Sequence, residues 1–291
     1  MWGTGSVNRK ITAIIRARIT LEYQLEGMPE VVDWEPFAGL VSSVVALITW
    51  APWYGDIFRV NRLAAPRSYR LILGLAPIAC LLFLLFCLER SAAKTVRESG
   101  LYIFIYMALG AAALGISGQL LSFLGVSARD DVLERRNSAA LIAVVGALLG
   151  AILCFAGGNI GEGPGVEVVI VSAGTALCVW FLLWYLVDVF SGRVVSERIT
   201  VDRDTGSGVR LAGLLAGNGV ILGAAVAGDW MPDRFLHDFA VSAWPALALT
   251  AVAVLVERFS QSRSSIIRSV LTLTGYLLVA VEWVLHRGIS A

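Results

Sequence analysis

The sequence predicts an all-α polytopic membrane protein of about eight transmembrane helices, with a parallel repeat of a two-helix hairpin. Three observations support this fold class. Hydrophobic residues make up 57% of the 291 residues and charged residues only 15%, whereas soluble domains are about a quarter charged. The apolar residues are gathered in eight runs rather than spread along the chain. One of these runs, with its flanking residues, recurs in related form 67 positions later.

Each apolar run is long enough to cross a bilayer, which takes about 20 residues of helix. Because lipid cannot satisfy bare backbone amides, and the runs do not alternate as barrel strands do, they must be helices. The predicted spans are 37–55, 71–88, 100–124, 138–157, 167–190, 211–228, 239–256 and 267–285. They divide the chain into an N-terminal segment (1–35), three helices (36–128), a duplicated core (129–258, with hairpins 129–192 and 196–258) and a last helix (259–291).

Lysine and arginine predict the orientation, because loops rich in them stay in the cytoplasm. The loops after the first, third, fifth and seventh helices hold 14 of the 23 basic residues, against 9 elsewhere. We therefore expect both termini to lie outside. Four of the nine lie in residues 1–35. That segment is either a basic amphipathic helix on the membrane surface or a disordered tail, with Met28 as an alternative start.

The recurring pattern predicts how the core packs. Of the 27 positions from 136 to 162, 5 are identical to the residue 67 positions later. The pairs Gly146/Gly150 and Gly213/Gly217 fall at the same depth of helices four and six. Glycines one turn apart let another backbone come close, which drives helix association in lipid. We expect the two strips to pack helices four and six together; alternatively, either strip faces a second copy or another membrane subunit.

A short motif resembles a known family. Asn137–Ala140 (NSAA) is followed, five residues later, by Gly146–Gly150 (GALLG). This resembles the bacterial inner-membrane family called domain of unknown function 350, which carries an Asn-Thr/Ala-Ala-Ala helix start and a GxLLG-like strip twice. The second copy departs from the pattern, because Asp204–Ser207 (DTGS) replaces the helix start. The resemblance covers roughly residues 100–258 and implies a small helical inner-membrane protein; it does not account for the glycine-rich loop 158–165.

Four polar residues form a candidate ion pathway. Glu162 and Asp229 end equivalent helices, and either face a shared vestibule that binds a cation or passes a proton, or are simply exposed to water. Asn159 lies in the glycine-rich loop, which is either a re-entrant turn lining a cavity or a tight exterior connection. Asn218 lies near the middle of helix six, where an unpaired amide is costly. It either bonds a neighbouring helix or binds a substrate.

Two further polar features precede helices four and six. Asn137 and Asp204 are placed to cap these helices, since such side chains accept from free amides of a first turn. Mixed charges gather just before each cap, at 129–136 and 198–204. These clusters dock a cytoplasmic protein, pair with each other or are solvated loops.

Composition and motifs exclude several functions. The net charge of +1 and the lack of a basic patch interleaved with aromatics argue against nucleic-acid binding. All four cysteines lie in apolar runs, and the two histidines are 49 residues apart, so neither a metal site nor a cofactor is expected. No motif for catalysis is present. Two functions remain: a scaffold or stress-linked accessory protein without catalysis, or a channel or transporter for a small ion.

Overall fold

The computed structural model describes residues 34–59, 65–260 and 265–287. Within these ranges eight helices are long and apolar enough to cross a membrane, and no β-strand forms. The prediction of an all-α polytopic membrane protein is therefore confirmed. The interpretations offered for the N-terminal segment fall on residues 1–33, outside the described residues. The spanning helices are α1 (Glu35–Arg59), α2 (Arg67–Ser91), α3 (Gly100–Leu120), α4 (Ser138–Gly157), α5 (Val166–Phe190), α6 (Thr205–Val226), α7 (Phe235–Phe259) and α8 (Ile266–Arg287).

α6 is the central helix of the bundle. In its most apolar stretch 89% of the residues are buried, against 22% in α1 and 17% in α8. The outer helices instead expose large apolar side chains, Leu47 and Leu285 among them, and these contact the lipid bilayer. α6 begins at Thr205 and not at residue 211 as predicted. Its first turn is made of small and polar residues, so a count of apolar residues does not detect it. Because the helix begins at Thr205, Arg210 lies inside it.

The starts of α4 and α6 have the same local geometry. Asn137 Oδ1 accepts from the amides two and three residues later at 2.9 and 3.2 Å, and the Asp204 carboxylate does the same at 3.1 and 3.2 Å. Each cap follows an arginine with a left-handed backbone, Arg136 at φ 56° and Arg203 at φ 55°. These likenesses lie 67 residues apart. They concern only the starts of the two helices and do not test whether the whole hairpins correspond, so the duplicated hairpin stays a prediction.

The most extensive contact between described helices joins α4 to α6. Gly146 lies against Ala212, and Gly150 against the Leu215 carbonyl, so closely that a methyl group at either glycine would overlap its neighbour. From the other side, a methyl group at Gly219 would lie 2.5 Å from the Gly150 carbonyl oxygen. The two backbones therefore touch directly. In lipid, such contact stabilises a helix pair mainly through van der Waals packing.

The second glycine strip faces elsewhere, which corrects the expectation that both strips join α4 to α6. A methyl group at Gly213 would lie 2.8 Å from Leu273 Cα of α8. One at Gly217 would lie 3.2 Å from Leu249 Cδ2 of α7 and 3.3 Å from the Tyr276 carbonyl oxygen of α8. α6 carries small residues on two faces, one toward α4 and one toward α8. The GxxxG spacing marks a close approach but does not say which helix approaches.

Gly150→Ala is expected to lower the free energy of unfolding by about 1–3 kcal/mol, the usual cost of overpacking a filled core. The methyl group would displace the Leu215 carbonyl and Trp180 Nε1, which are hydrogen-bonded to each other at 2.8 Å. Gly174→Ala in α5 is the matched control, since nothing lies within 4 Å of that position. Denaturant titration in mixed micelles measures both variants. Equal stability of the two would contradict the backbone contact.

Candidate functional site

Two connections meet at one end of the bundle: residues 158–165 between α4 and α5, and residues 227–234 between α6 and α7. The Gly228 amide donates to the Ile160 carbonyl at 2.8 Å. Gly161 and Gly228 have φ of 114° and 125°, a conformation that side chains disfavour. A methyl group at Gly161 would also overlap Gly228. Glycine is therefore needed at both positions for the loops to touch.

The touching loops bring the two predicted acids together. The Glu162 amide donates to Asp229 Oδ1 at 3.0 Å, and the Trp230 amide donates back to the Glu162 carbonyl at 2.9 Å. The two carboxylates do not pair with each other, and both side chains are exposed. Asp229 is held by a backbone donor, while the Glu162 side chain stays available on the same rim.

These loops bound a cavity of about 530 Å³, which we call the acidic cavity. The start of α1 closes one side of it, where Glu35 Oε1 accepts from the Val166 amide at 3.3 Å. Three of the four candidate pathway residues line this cavity, together with two further acids, from the first turns of α1 and α7, and one base from the end of α8. In chain order these six residues are Glu35, Asn159, Glu162, Asp229, Asp238 and Arg287.

The charges of the acidic cavity do not balance. Four carboxylates face one guanidinium among its described lining residues. A cleft lined by one sign of charge and bounded by apolar protein focuses the electrostatic potential and concentrates counter-ions. The charges of its lining therefore favour a cation over an anion.

Asn159 contributes an uncharged acceptor to this cavity. Its side chain is 7% exposed, and its Nδ2 donates to the Phe155 carbonyl at 2.7 Å. Its Oδ1 has no hydrogen-bond partner among the described residues. An unsatisfied buried acceptor costs about 1–3 kcal/mol. Almost none of the surface of this oxygen is accessible, so a donor in the cavity would recover that cost only if the Asn159 side chain turned toward it.

Asn218, the fourth predicted pathway residue, does not line the acidic cavity. It is 1% exposed on α6, and its Nδ2 donates to Thr250 Oγ1 of α7 at 3.0 Å. Thr250 in turn donates to the Ala246 carbonyl. This arrangement joins two helices near the middle of the bundle. Asn218 Oδ1 has no hydrogen-bond partner within the described ranges.

A buried ion pair at the opposite end of α6 was missed by the sequence interpretation. Arg210 is 2% exposed and Glu257 of α7 is 4% exposed. The guanidinium donates to the two carboxylate oxygens at 2.5 and 2.9 Å, and to the hydroxyls of Ser269 and Ser207 at 2.8 Å each. Arg198 adds a longer contact to Glu257 at 3.4 Å. The pair thus ties α6, α7 and α8 together.

The charged connection before α4 is engaged with its own chain. Arg129 lies 3.2 Å from Glu134 and 3.9 Å from Asp56, and Arg135 lies 3.0 Å from Asp131. The hydrogen bond to Glu134, with Asp56 nearby, raises the pKa of the exposed Arg129 guanidinium. The Arg129 pairs are exposed, and such pairs are each worth less than about 1 kcal/mol. Asp131, in contrast, is buried, so its carboxylate holds Arg135 from within the connection.

These features define a polytopic helical membrane protein with an acidic cavity at one end of its bundle and a buried ion pair at the other. No family model, curated protein or solved structure matches the chain. The resemblance to domain of unknown function 350 therefore stays a prediction, and the site is interpreted from its own chemistry.

Glu257→Gln is expected to destabilise the protein by about 3–5 kcal/mol, because Arg210 would keep its charge in a buried position without a counter-charge. Glu282→Gln in α8, at an exposed position, is the control and should change stability by less than about 0.5 kcal/mol. Thermal unfolding in detergent measures both. The double variant Arg210→Met/Glu257→Leu should regain most of the loss. Wild-type stability of Glu257→Gln would contradict the buried pair.

Proposed function

We propose that this protein is a carrier for a small cation, working in a bacterial inner membrane with both termini outside and without catalysis of its own. The acidic cavity is the observation that supports this function. It gathers Asn159, Glu162 and Asp229 from the two corresponding loops, and adds Glu35 and Asp238 from other helices. In the proposed orientation the cavity opens to the exterior, where it collects cations from solution.

A carrier fits the packing better than an open pore. Beneath the cavity the backbones of α4 and α6 are in contact, so a cation needs a conformational change to pass. Carriers work in this way, by alternating access around a site between helices.

Unpartnered polar atoms support a route along α6. Asn159 Oδ1 lies at the cavity, Asn218 Oδ1 near the middle of the bundle, and the Tyr276 hydroxyl beside Arg210 and Glu257. None of these three atoms has a hydrogen-bond partner among the described residues. Polar groups inside a membrane protein commonly mark the path of an ion or a proton. The route ends at the buried ion pair of Arg210 and Glu257, and rearrangement of this pair would open the route to the opposite side of the membrane.

A scaffold or stress-linked accessory protein is the second candidate. The sparse burial of α1 and α8, 22% and 17% of their most apolar stretches, favours it, since these helices leave broad faces for another copy or another membrane subunit. The charged connections would then recruit a cytoplasmic protein. A scaffold needs no flux, and this difference separates the two candidates.

The double variant Glu162→Gln/Asp229→Asn is expected to lower cation flux in proteoliposomes about tenfold or more, because two charge-assisted contacts of about 1.5–3 kcal/mol each are removed. Asp233→Asn is the matched control, since Asp233 is exposed in the same loop but does not line the cavity. Flux is measured for sodium, potassium and methylammonium gradients. Folded protein that moves none of these cations would contradict the carrier and leave the scaffold.

A further inference from the structure

We infer that the ligand of the acidic cavity is a primary ammonium ion attached to an apolar body, an inference that rests on the proposed function. The first step is the nature of the walls. Tyr102 and Tyr106 of α3 stack with ring centroids 6.5 Å apart on one side. Trp230, Phe235 and Phe239 form a second aromatic group, with neighbouring centroids 4.7 and 6.3 Å apart. Aromatic faces attract cations and also pack against apolar groups.

The size of the cavity points to an organic ion. A volume of about 530 Å³ falls within the range of about 300–1,000 Å³ typical of small-molecule sites. A bare calcium ion instead needs about 6–8 oxygens at 2.3–2.6 Å. Among the described residues, no group of three or more His, Cys, Asp and Glu side chains is gathered closely enough to hold a metal ion. The carboxylates are spread around the cavity, which suits a ligand with its own bulk.

The acceptors of the cavity specify N–H donors. Asn159 Oδ1 is buried and unpartnered, and it lies with the carboxylates of Glu162 and Asp229 around one space. A primary ammonium has three N–H groups, enough to bond a carboxylate of the rim and, once the Asn159 side chain turns toward the cavity, its amide oxygen. A quaternary ammonium has none, so it would leave Asn159 Oδ1 unsatisfied. The apolar body would then lie against the rings of Phe235 and Trp230.

Calorimetric titration of the purified protein in micelles tests this inference, with benzylammonium, tetramethylammonium and potassium chlorides as the probes. We expect saturable benzylammonium binding, with tetramethylammonium weaker by about tenfold. Glu162→Gln/Asp229→Asn should weaken benzylammonium binding about tenfold or more, and Phe235→Ala about fivefold. Asp233→Asn should leave it unchanged. Asn159→Ala should reduce the preference for benzylammonium over tetramethylammonium.

The outcomes separate the ligand class from the function. Potassium binding that depends on Glu162 and Asp229, without benzylammonium binding, would overturn the ammonium inference and leave the cation carrier. Benzylammonium binding without flux would support the ligand class and overturn the carrier. Equal binding of benzylammonium and tetramethylammonium would overturn the role of the N–H donors. If the folded protein binds none of the three probes, the inferred ligand class is overturned. If it also shows no cation flux, the proposed carrier function is overturned as well.

Discussion

The direct contact between the backbones of α4 and α6 is the constraint on which the rest of the structure depends. Gly146 and Gly150 on one side, and Gly219 on the other, leave no room for a larger side chain between the helices. Because the pair runs in the same direction, whatever follows α4 is brought beside whatever follows α6. The loops after the two helices therefore meet, and Gly161 and Gly228 allow them to hydrogen-bond. The acidic cavity is a consequence of this packing.

The same packing forces the charged groups to the two ends of α6. The middle of this helix is enclosed on all sides, and an unpaired charge there would be costly. Arg210 is accommodated in the second turn because Glu257, Ser207 and Ser269 supply its partners. At the other end, about 24 Å away at 1.5 Å per residue, the acids of the cavity reach water. Between them the uncharged pair Asn218 and Thr250 interrupts the apolar core.

Much of this architecture was predictable from the residues, and the gaps have physical causes. Long apolar runs and cap residues are local signals, so eight helices and the roles of Asn137 and Asp204 follow from short stretches of sequence. Arg210 was assigned to a loop, because a charged residue normally ends an apolar run and its partner Glu257 is remote in the chain. If Asp204 is taken as the cap, Arg210 falls six residues into the helix, which is the signal that places it inside the spanning segment.

The site itself was predictable only in part. Glu162 and Asp229 were found because they share one spacing with the glycine strips. Glu35, Asp238 and Arg287 line the same cavity, but they come from helices whose neighbours no local pattern specifies. Asn218 was grouped with the loop residues for its polarity, whereas its helical position directs it toward Thr250. Which helix packs against which face of α6 depends on the tertiary structure. For the same reason, the sequence did not predict that Gly213 and Gly217 pack against α8.

Cysteine cross-linking of residue 138 to residue 205 tests the side-by-side arrangement of α4 and α6 most directly. The Ser138 and Thr205 hydroxyl oxygens lie 3.4 Å apart at the starts of the two helices, so thiols at these positions need only a small movement to reach the S–S distance of about 2 Å. In a protein whose four native cysteines are replaced, Ser138→Cys/Thr205→Cys should form an intramolecular disulfide readily under mild oxidation. Failure of this pair to cross-link, while Ser138→Cys paired with a cysteine several turns along α6 succeeds, would contradict the arrangement.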